Sequence, residues 1–279
     1  MLPDVLANSI SSNPRMAVSL VARAIMISWR IKTKERLAWS GLGGALLIWV
    51  VFPAFPLIMA GLIYRTTRPD LLGYTVVAFS ANTFIFTMLF YIGTLLDEER
   101  ANGSLVSLFL APCPRAAWLL GFALAGLLDT AISATVVALF GMWSFGVRFD
   151  PDYPALLLTF ALFLVALWGL GFILSGIGLA LKNSGDLANL LFPVIILLGG
   201  VWIPVALLPT LLRYPARCLP VGYGMQALAD AALHHASIPT LAPQLLPLAG
   251  FAVLLPVVGI RTFAALERLV RERGELDLY

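Results

Sequence analysis

The sequence predicts an all-α integral membrane protein with six transmembrane helices, and three observations support this prediction. Hydrophobic residues make up 60% of the 279 residues and charged residues only 12%, whereas soluble domains carry about 25% charged residues. Long uncharged runs recur along the chain, each exceeding the roughly 20 residues that a spanning helix needs. The runs are 37–64, 71–96, 153–181, 187–212 and 231–260, and a sixth, 116–147, holds Asp129 as its only charged residue. Residues 1–279 are therefore expected to form a single transmembrane domain.

Residues 1–40 are expected to contain an amphipathic helix at the cytoplasmic surface. Between positions 14 and 38, apolar side chains such as Val18 and Ile25 are interspersed with Arg23 and Arg30. A basic amphipathic pattern of this kind is typical of a helix that lies in the plane of the membrane interface. We call this segment the elbow helix. The alternative is a cytosolic tail whose charges only fix the topology.

The basic residues orient the six spans that residues 41–263 are expected to form. Lys and Arg are enriched in the cytoplasmic segments of membrane proteins. Most of the 18 lysines and arginines fall on the same side as the two termini, the exceptions being Arg65, Arg68, Arg148, Arg213 and Arg217. Both termini, including the tail 264–279, are therefore expected in the cytoplasm. The positive charge there suits anionic membrane lipid rather than nucleic acid.

The first and last spans carry distinct signals. The first span, near 41–63, contains Pro53 and Pro56, which remove backbone donors and predict a kink. The last span, about 243–263, is followed by the charged tail, whose composition is typical of the solvated end of a helix.

A charged turn follows the second span. Four charged residues end the span at the inner surface, an apolar face follows, and two prolines stop the short helix before the third span. These are Asp97, Glu98, Glu99 and Arg100, then Leu105, Leu108 and Phe109, and finally Pro112 and Pro114. Because an amphipathic helix can dock in a groove, we expect another protein to act on this turn. A merely structural membrane-proximal loop is the alternative.

Few residues in the chain could perform chemistry. Asp129 lies inside a predicted span, where a carboxylate is costly and therefore a candidate for the transport path; a protonated or hydrogen-bonded packing residue is the alternative. His234 and His235 are adjacent and have no further ligand at metal spacing, so no metal site is expected. No phosphate-binding loop of the type Gly-x-x-x-x-Gly-Lys-Ser/Thr is present, so any ATP must be handled by another protein.

The fifth apolar run, 187–212, and the residues that follow it are broken by prolines. Pro204, Pro209, Pro215 and Pro220 exclude one straight helix. Residues 199–233 nevertheless stay largely apolar, which fits a solvated loop poorly. A short re-entrant or interfacial pair of helices on the outer side fits better, because irregular backbone at membrane depth needs protein or a water-filled cavity around it. The alternative is a helix pair that lies on the outer leaflet without a function.

Two stretches resemble the permeases of the ABC-2 type transporter family, the membrane subunits of many bacterial ABC exporters. The first is Glu98-Glu99-Arg100-x-x-Gly103-Ser104-Leu105, followed by Pro112-x-x-Arg115 and the third span. The second comprises Gly199-Gly200-Val-Trp-Ile-Pro204, Leu208-Pro209, Leu219-Pro220-Val-Gly-Tyr223 and Ala227-Leu228. Two positions depart from the pattern: Val106 stands where an acidic residue is frequent, and Gly199 stands where Ser is common.

The resemblance implies the type V ABC transporter fold, with an elbow helix, six spans and outer re-entrant helices before the last span. It implies two groups of site residues. Contacts to the ATPase would come from Glu98, Glu99, Arg100, Gly103, Ser104 and Leu105, and the outer re-entrant gate from Gly200, Pro204, Pro209, Pro220 and Tyr223.

The resemblance also implies a function. The chain would be the permease of an exporter in the bacterial cytoplasmic membrane and would move a drug, lipid, lipid-linked glycan or similar hydrophobic or amphiphilic cargo. It would not be an enzyme itself, because ATP and Mg²⁺ would belong to a separate ATP-binding subunit. A second permease copy, identical or closely related, would complete the transporter.

Other classes of membrane protein would require different features in the sequence. A secondary transporter would ordinarily carry several intramembrane charges and an internal repeat, and neither is evident beyond Asp129. An intramembrane enzyme would need a catalytic cluster that the spans do not supply. A membrane scaffold without transport activity is the other alternative, and substitutions at Glu99 or Gly103 would separate it from a driven transporter.

Overall fold

The computed structural model describes residues 26, 43–44, 47–94, 115–181 and 184–272, and all regular elements in these ranges are helical. Numbered in chain order, the α-helices are α1 (Phe52–Thr67), α2 (Leu72–Thr87), α3 (Arg115–Phe145), α4 (Tyr153–Leu181), α5 (Ser184–Leu198), α6 (Thr210–Ala216), α7 (Pro220–Leu233) and α8 (Ala242–Glu272). The prediction of an all-α membrane fold is thus confirmed. The predicted elbow helix lies outside the described residues apart from the single residue Met26.

Within the described ranges, four stretches of helix are long and apolar enough to cross a membrane. They are Pro69–Ile92, Gly126–Phe145, Tyr153–Gly178 and Ala242–Phe263. They coincide with the second, third, fourth and last spans expected from the sequence, so the chain is a multi-pass membrane protein. The count of six spans remains a prediction.

The predicted first span contains an irregular turn next to its prolines. A π-helical turn, Leu47–Val51, leads directly into α1. Pro53 lies in the first turn of α1, where a helix does not need the missing N–H, and Pro56 lies inside the helix. The interruption expected from these prolines therefore takes the form of a change from π-helix to α-helix just before them.

The fifth apolar run ends as a helix much earlier than its composition suggests. The run continues to position 212, but α5 has only 15 residues and stops at Leu198. The next two residues are glycines, and Gly200 has a φ of +80°, a left-handed conformation that glycine adopts without steric cost. The chain turns there instead of completing a straight span.

The core consists of two groups of helices joined by α7 and by the turn Met88–Ile92, which follows α2 and packs against α4. Helix α2 packs against α1 and α3, while α4 packs along α8, and α7 contacts α2, α4 and α8. Glycines allow α4 and α8 to approach closely, because a Cβ built on Gly169 would lie 2.5 Å from the Cβ of Leu255. Small residues serve this purpose in membrane helix packing. Among the largest fully buried side chains are Phe163, Ile85 and Met225.

One end of the bundle gathers the irregular segments. The backbone N–H groups of Asp150 and Asp152, in the α3–α4 connection, donate to the carbonyls of Ala232 and Ala231 at the end of α7. We call this the outer end, following the charge-based topology. The segment 95–114, which joins α2 to α3, is expected at the opposite, inner end and is not among the described residues.

Candidate functional site: the outer re-entrant region

Residues 200–219 form an excursion between two helix ends that lie next to each other. A Cβ built on Gly199, directly after α5, would lie 2.8 Å from the Cβ of Val221 in the first turn of α7. A Cβ on Gly222 would lie 3.9 Å from the carbonyl oxygen of Leu198. The chain therefore leaves the end of α5, forms the 3₁₀ turn Val205–Leu207 and helix α6, and returns to begin α7 beside its starting point.

Helix α7 runs along α4 from inside the bundle to the outer end. Its Gly224 faces the ring of Phe163, which is 0% exposed and lies ten positions after the start of α4, so about 15 Å along that helix. Its last residues meet the α3–α4 connection at Asp150 and Asp152. An orientation of this kind agrees with the re-entrant arrangement expected from the sequence and not with a helix that lies flat on the surface.

Two tyrosines satisfy the backbone at the break after α5. The Tyr74 hydroxyl donates a hydrogen bond of 2.6 Å to the carbonyl of Gly200. The Tyr64 hydroxyl donates one of 2.7 Å to the carbonyl of Trp202. A buried carbonyl left without a donor would cost free energy comparable to a lost hydrogen bond, so α1 and α2 directly support this irregular backbone. The Phe79 ring adds an edge contact to Trp202, with 5.0 Å between ring centroids.

The five predicted gate residues occupy distinct positions in this region. Gly200 makes the left-handed turn, and the carbonyl of Pro204 accepts a 2.8 Å hydrogen bond from the Leu207 N–H. Pro209 directly precedes α6 and its carbonyl accepts the Leu212 N–H at 2.9 Å. Pro220 is the first residue of α7, where its missing N–H is not needed. Tyr223 lies one turn further, with its ring 6.2 Å from that of Phe251.

A cavity of about 320 Å³ opens between the 3₁₀ turn, α6 and α7. We call it the outer cavity. Its lining includes Arg213, Arg217, Tyr223 and Gln226. Tyr223 is the only predicted gate residue among the lining residues, so sequence reasoning located the region but not the cavity. The spacing of Arg213 and Arg217, one helical turn apart between prolines, was the signal available for it.

Helices α2 and α3 are joined by a polar contact between the last residue of α2 and the middle of α3. The Oγ1 atoms of Thr87 and Thr130 are 2.6 Å apart. Asp129, the neighbour of Thr130, is partly buried and makes a polar or electrostatic interaction. The predicted coupling residues are Glu98, Glu99, Arg100, Gly103, Ser104 and Leu105, and all of them lie outside the described residues.

Two histidine–aspartate pairs lie where α7 reaches the outer end. The Nδ1 atom of His234 is 3.5 Å from Oδ1 of Asp230, and Nδ1 of His235 is 3.6 Å from Oδ1 of Asp150. Burial raises the pKa of the Asp230 carboxyl, and His234 acts in the opposite direction. Within the described part of the chain, no three His, Cys, Asp or Glu side chains are grouped so as to hold a metal ion.

Comparison with known proteins gives one match. The family described as ABC-2 type transporter matches residues 17–233. The matched segment contains the predicted coupling turn, α5 and the whole re-entrant region. A search of curated proteins finds no match to the chain.

Proposed function

This chain belongs to the ABC-2 type transporter family, whose match covers more than half of it, and we propose that it exports a hydrophobic or amphiphilic cargo with energy from a separate ATP-binding subunit. The family itself makes the chain the permease subunit of an ABC transporter. The direction of transport, the class of cargo and the separate ATP-binding subunit, which we call the motor, belong to the proposal.

Coupling to the motor is assigned to the turn after the second span. Glu98, Glu99, Arg100, Gly103, Ser104 and Leu105 would contact the ATP-binding subunit. The segment 95–114 joins the inner ends of α2 and α3, two helices held together by the 2.6 Å contact between Thr87 and Thr130. A displacement of this turn would therefore act on both helices.

Helix α2 supplies the physical link between the two ends of the membrane. Its inner end adjoins the coupling turn, and its outer end carries Tyr74, whose hydroxyl holds the Gly200 carbonyl. This arrangement is the observation that best supports the proposal, because it offers a packed helix between the motor contact and the outer region. ATP-driven closure of the motor would then favour one arrangement of the gate over another, as differential affinity between conformations requires.

The remaining parts of the transporter follow from the same proposal. Two permeases, each with both termini in the cytoplasm, would sit in the bacterial inner membrane and enclose a path between them. Asp129 would face or border this path. ATP and Mg²⁺ would be bound by the partner subunit. Export is proposed because the two stretches described above resemble the permeases of bacterial ABC exporters.

Purification tests whether the permease associates with an ATP-binding subunit. The tagged permease would be expressed in its native host, purified in mild detergent and examined by mass spectrometry for an ATP-binding subunit and its stoichiometry. Equal copies of permease and ATP-binding subunit are expected. A preparation that is folded by thermal unfolding but reproducibly lacks such a subunit would overturn the proposal in favour of a secondary transporter or a scaffold.

The coupling turn is tested by substitution. Glu99→Ala and Gly103→Leu are expected to leave insertion and ATP hydrolysis in place while transport in membrane vesicles falls at least tenfold. Glu275→Ala removes a carboxylate on the same predicted side of the membrane and serves as the matched control. Unchanged transport in both turn variants would contradict the assigned contact.

A further inference from the structure

We propose that the outer cavity binds the anionic headgroup of an amphiphile, of the phosphate ester type, between Arg213 and Arg217. This inference rests on the proposed function and narrows the cargo from hydrophobic or amphiphilic to anionic and amphiphilic. Three features support it: two arginines one helical turn apart, neutral polar side chains on the facing helix, and an apolar wall.

The two arginines are neighbours on one turn of helix. The Arg217 backbone N–H donates to the Arg213 carbonyl at 3.1 Å, so the side chains project from positions one turn apart. Both line the outer cavity. Neither guanidinium forms an ion pair with any carboxylate in the described ranges.

Backbone contact fixes one of the two guanidinium groups. The Arg213 Nε–H donates a hydrogen bond of 2.7 Å to the carbonyl of Leu208, a residue that is 3% exposed. This bond uses one of the five N–H donors of the arginine and leaves the four on its terminal nitrogens. Arg217 is exposed on the same cavity. The pair therefore carries two positive charges that no carboxylate among the described residues neutralises.

The facing helix α7 adds donors without adding charge. Tyr223 and Gln226, whose side chains carry a hydroxyl and an amide, are among the residues that line the cavity. Val205, Ala216 and Gly222 form apolar parts of the wall. A Cβ built on Gly222 would lie 3.0 Å from Cγ2 of Val205, so the glycine keeps the cavity open at this point.

The two arginines and the apolar wall together favour a ligand that has an oxyanion group attached to an apolar body. Arginine presents a planar set of donors that matches phosphate and carboxylate oxygens, and such charge-assisted bonds are about twice as strong as neutral ones. Two like charges one turn apart repel each other until an anion neutralises them. A volume of about 320 Å³ accommodates a headgroup, at the lower end of ligand sites, so the chains of the amphiphile would lie outside it in the bilayer.

The proposal is tested by direct binding to the purified full chain in neutral detergent. The probe is a short-chain phosphatidic acid with a fluorescent acyl group, and binding is measured by fluorescence anisotropy. Arg213→Gln and Arg217→Gln are each expected to raise the Kd about tenfold, as loss of a charge-assisted bond predicts. Arg148→Gln is the matched control, because Arg148 is exposed at the same end of the bundle but does not line the cavity.

A second kind of variant distinguishes loss of the binding site from misfolding of the protein. Ala206→Phe places a ring in the cavity while both arginines stay in place, and it is also expected to weaken binding about tenfold. Each variant must elute as a single species and unfold at a temperature near that of the parent. A Kd that is unchanged in Arg213→Gln, Arg217→Gln and Ala206→Phe would overturn the proposal.

Competition distinguishes the possible sources of the anion. Unlabelled short-chain phosphatidic acid is expected to displace the probe, whereas inorganic phosphate and short-chain diacylglycerol are expected to displace it at least tenfold less well. Displacement by inorganic phosphate as effective as that by phosphatidic acid would assign the cavity to free anions and overturn the amphiphile. Equal displacement by diacylglycerol would show that charge is not recognised and would overturn the headgroup site.

Two different measurements test the headgroup site and the proposed function, so one can be overturned without the other. Arg217→Gln is expected to leave copurification of the ATP-binding subunit unchanged, because the cavity lies at the end opposite the coupling turn. Copurification without binding of phosphatidic acid would remove only the headgroup site. Binding of phosphatidic acid without any ATP-binding subunit would remove the proposed export and leave the site.

Discussion

The Tyr74 hydroxyl donates a 2.6 Å hydrogen bond to the carbonyl of Gly200, 126 positions later in the chain. Tyr74 lies in the first turn of α2, and Gly200 lies at the turn that ends α5. The bond therefore attaches the outer re-entrant region to the helix that also leads to the predicted coupling turn. Any movement of α2 along its axis pulls on this carbonyl, so the bond is the first contact to examine by mutation.

Removal of the Tyr74 hydroxyl should destabilise the protein. Tyr74→Phe leaves the buried carbonyl of Gly200 without its donor, which is expected to lower the free energy of unfolding by about 1–3 kcal/mol. Thermal unfolding of the purified permease in detergent measures the effect. Tyr214→Phe is the control, because the Tyr214 side chain is exposed. Equal shifts in the two variants would show that the bond contributes nothing specific.

A side chain at Gly200 should be poorly tolerated. Gly200→Ala places a Cβ on a residue with a φ of +80°, 3.0 Å from Cγ2 of Val205 and 3.1 Å from the Tyr74 hydroxyl. Such strained backbone costs on the order of 1–3 kcal/mol, so the unfolding temperature is expected to fall.

The matched substitution is Gly250→Ala in α8, where no atom lies within 4 Å of the added Cβ. Alanine in a helix is favoured over glycine by roughly 0.5–1 kcal/mol, so this variant should be neutral or slightly more stable. If the Gly200→Ala variant unfolds at the same temperature as the Gly250→Ala variant, the left-handed turn at Gly200 does not require glycine for stability.

The α4–α8 interface should reject any side chain at Gly169. A Cβ there would lie 2.5 Å from the Pro256 nitrogen, and the helix backbone cannot move aside as a flexible side chain can. Gly169→Ala is expected to destabilise by about 1–3 kcal/mol, the range for overpacked cores. The yield of folded protein in size-exclusion chromatography and the unfolding temperature report this. Gly185→Ala, with no atom within 4 Å of its Cβ, should change neither quantity.

Neutralisation of Asp230 should stabilise the protein in a pH-dependent way. Burial raises the pKa of this carboxyl in the folded state above its unfolded value, so the folded protein loses stability as pH rises through the interval between the two pKa values. Asp230→Asn removes this loss. The variant is expected to unfold at a higher temperature than the parent above that interval and to show no advantage below it. A gain of equal size at every pH would rule out ionisation of Asp230 as the cause.

Hydropathy predicted the long helices well, because burial in lipid demands a minimum number of consecutive apolar residues. The run 153–181 coincides with α4 (Tyr153–Leu181), and the predicted last span near 243–263 coincides with Ala242–Phe263. The same criterion does not say where a helix stops inside an apolar run. The end of α5 at Leu198 was indicated instead by Pro204 and the prolines after it, which exclude one straight helix through the run 187–212.

The outer site was predicted in part. Repeated prolines indicated the break, since each removes a backbone donor. The supporting hydroxyls of Tyr64 and Tyr74 were missed, because both lie in apolar stretches that pair with residues more than a hundred positions away. The cavity depends on the return of the chain from α6 to α7, a tertiary relationship that local sequence patterns do not encode.

The early end of α5 has a consequence for how the protein is made. As it is synthesised, the chain presents the uncharged run 187–212, long enough to enter the bilayer as one ordinary helix. Its final partners, Val221 and Gly222, are synthesised only afterwards. The packing of Gly199 against Val221, which holds the break in place, can therefore form only after α7 has been synthesised. The re-entrant region thus depends for its final contacts on a helix that follows it in the chain.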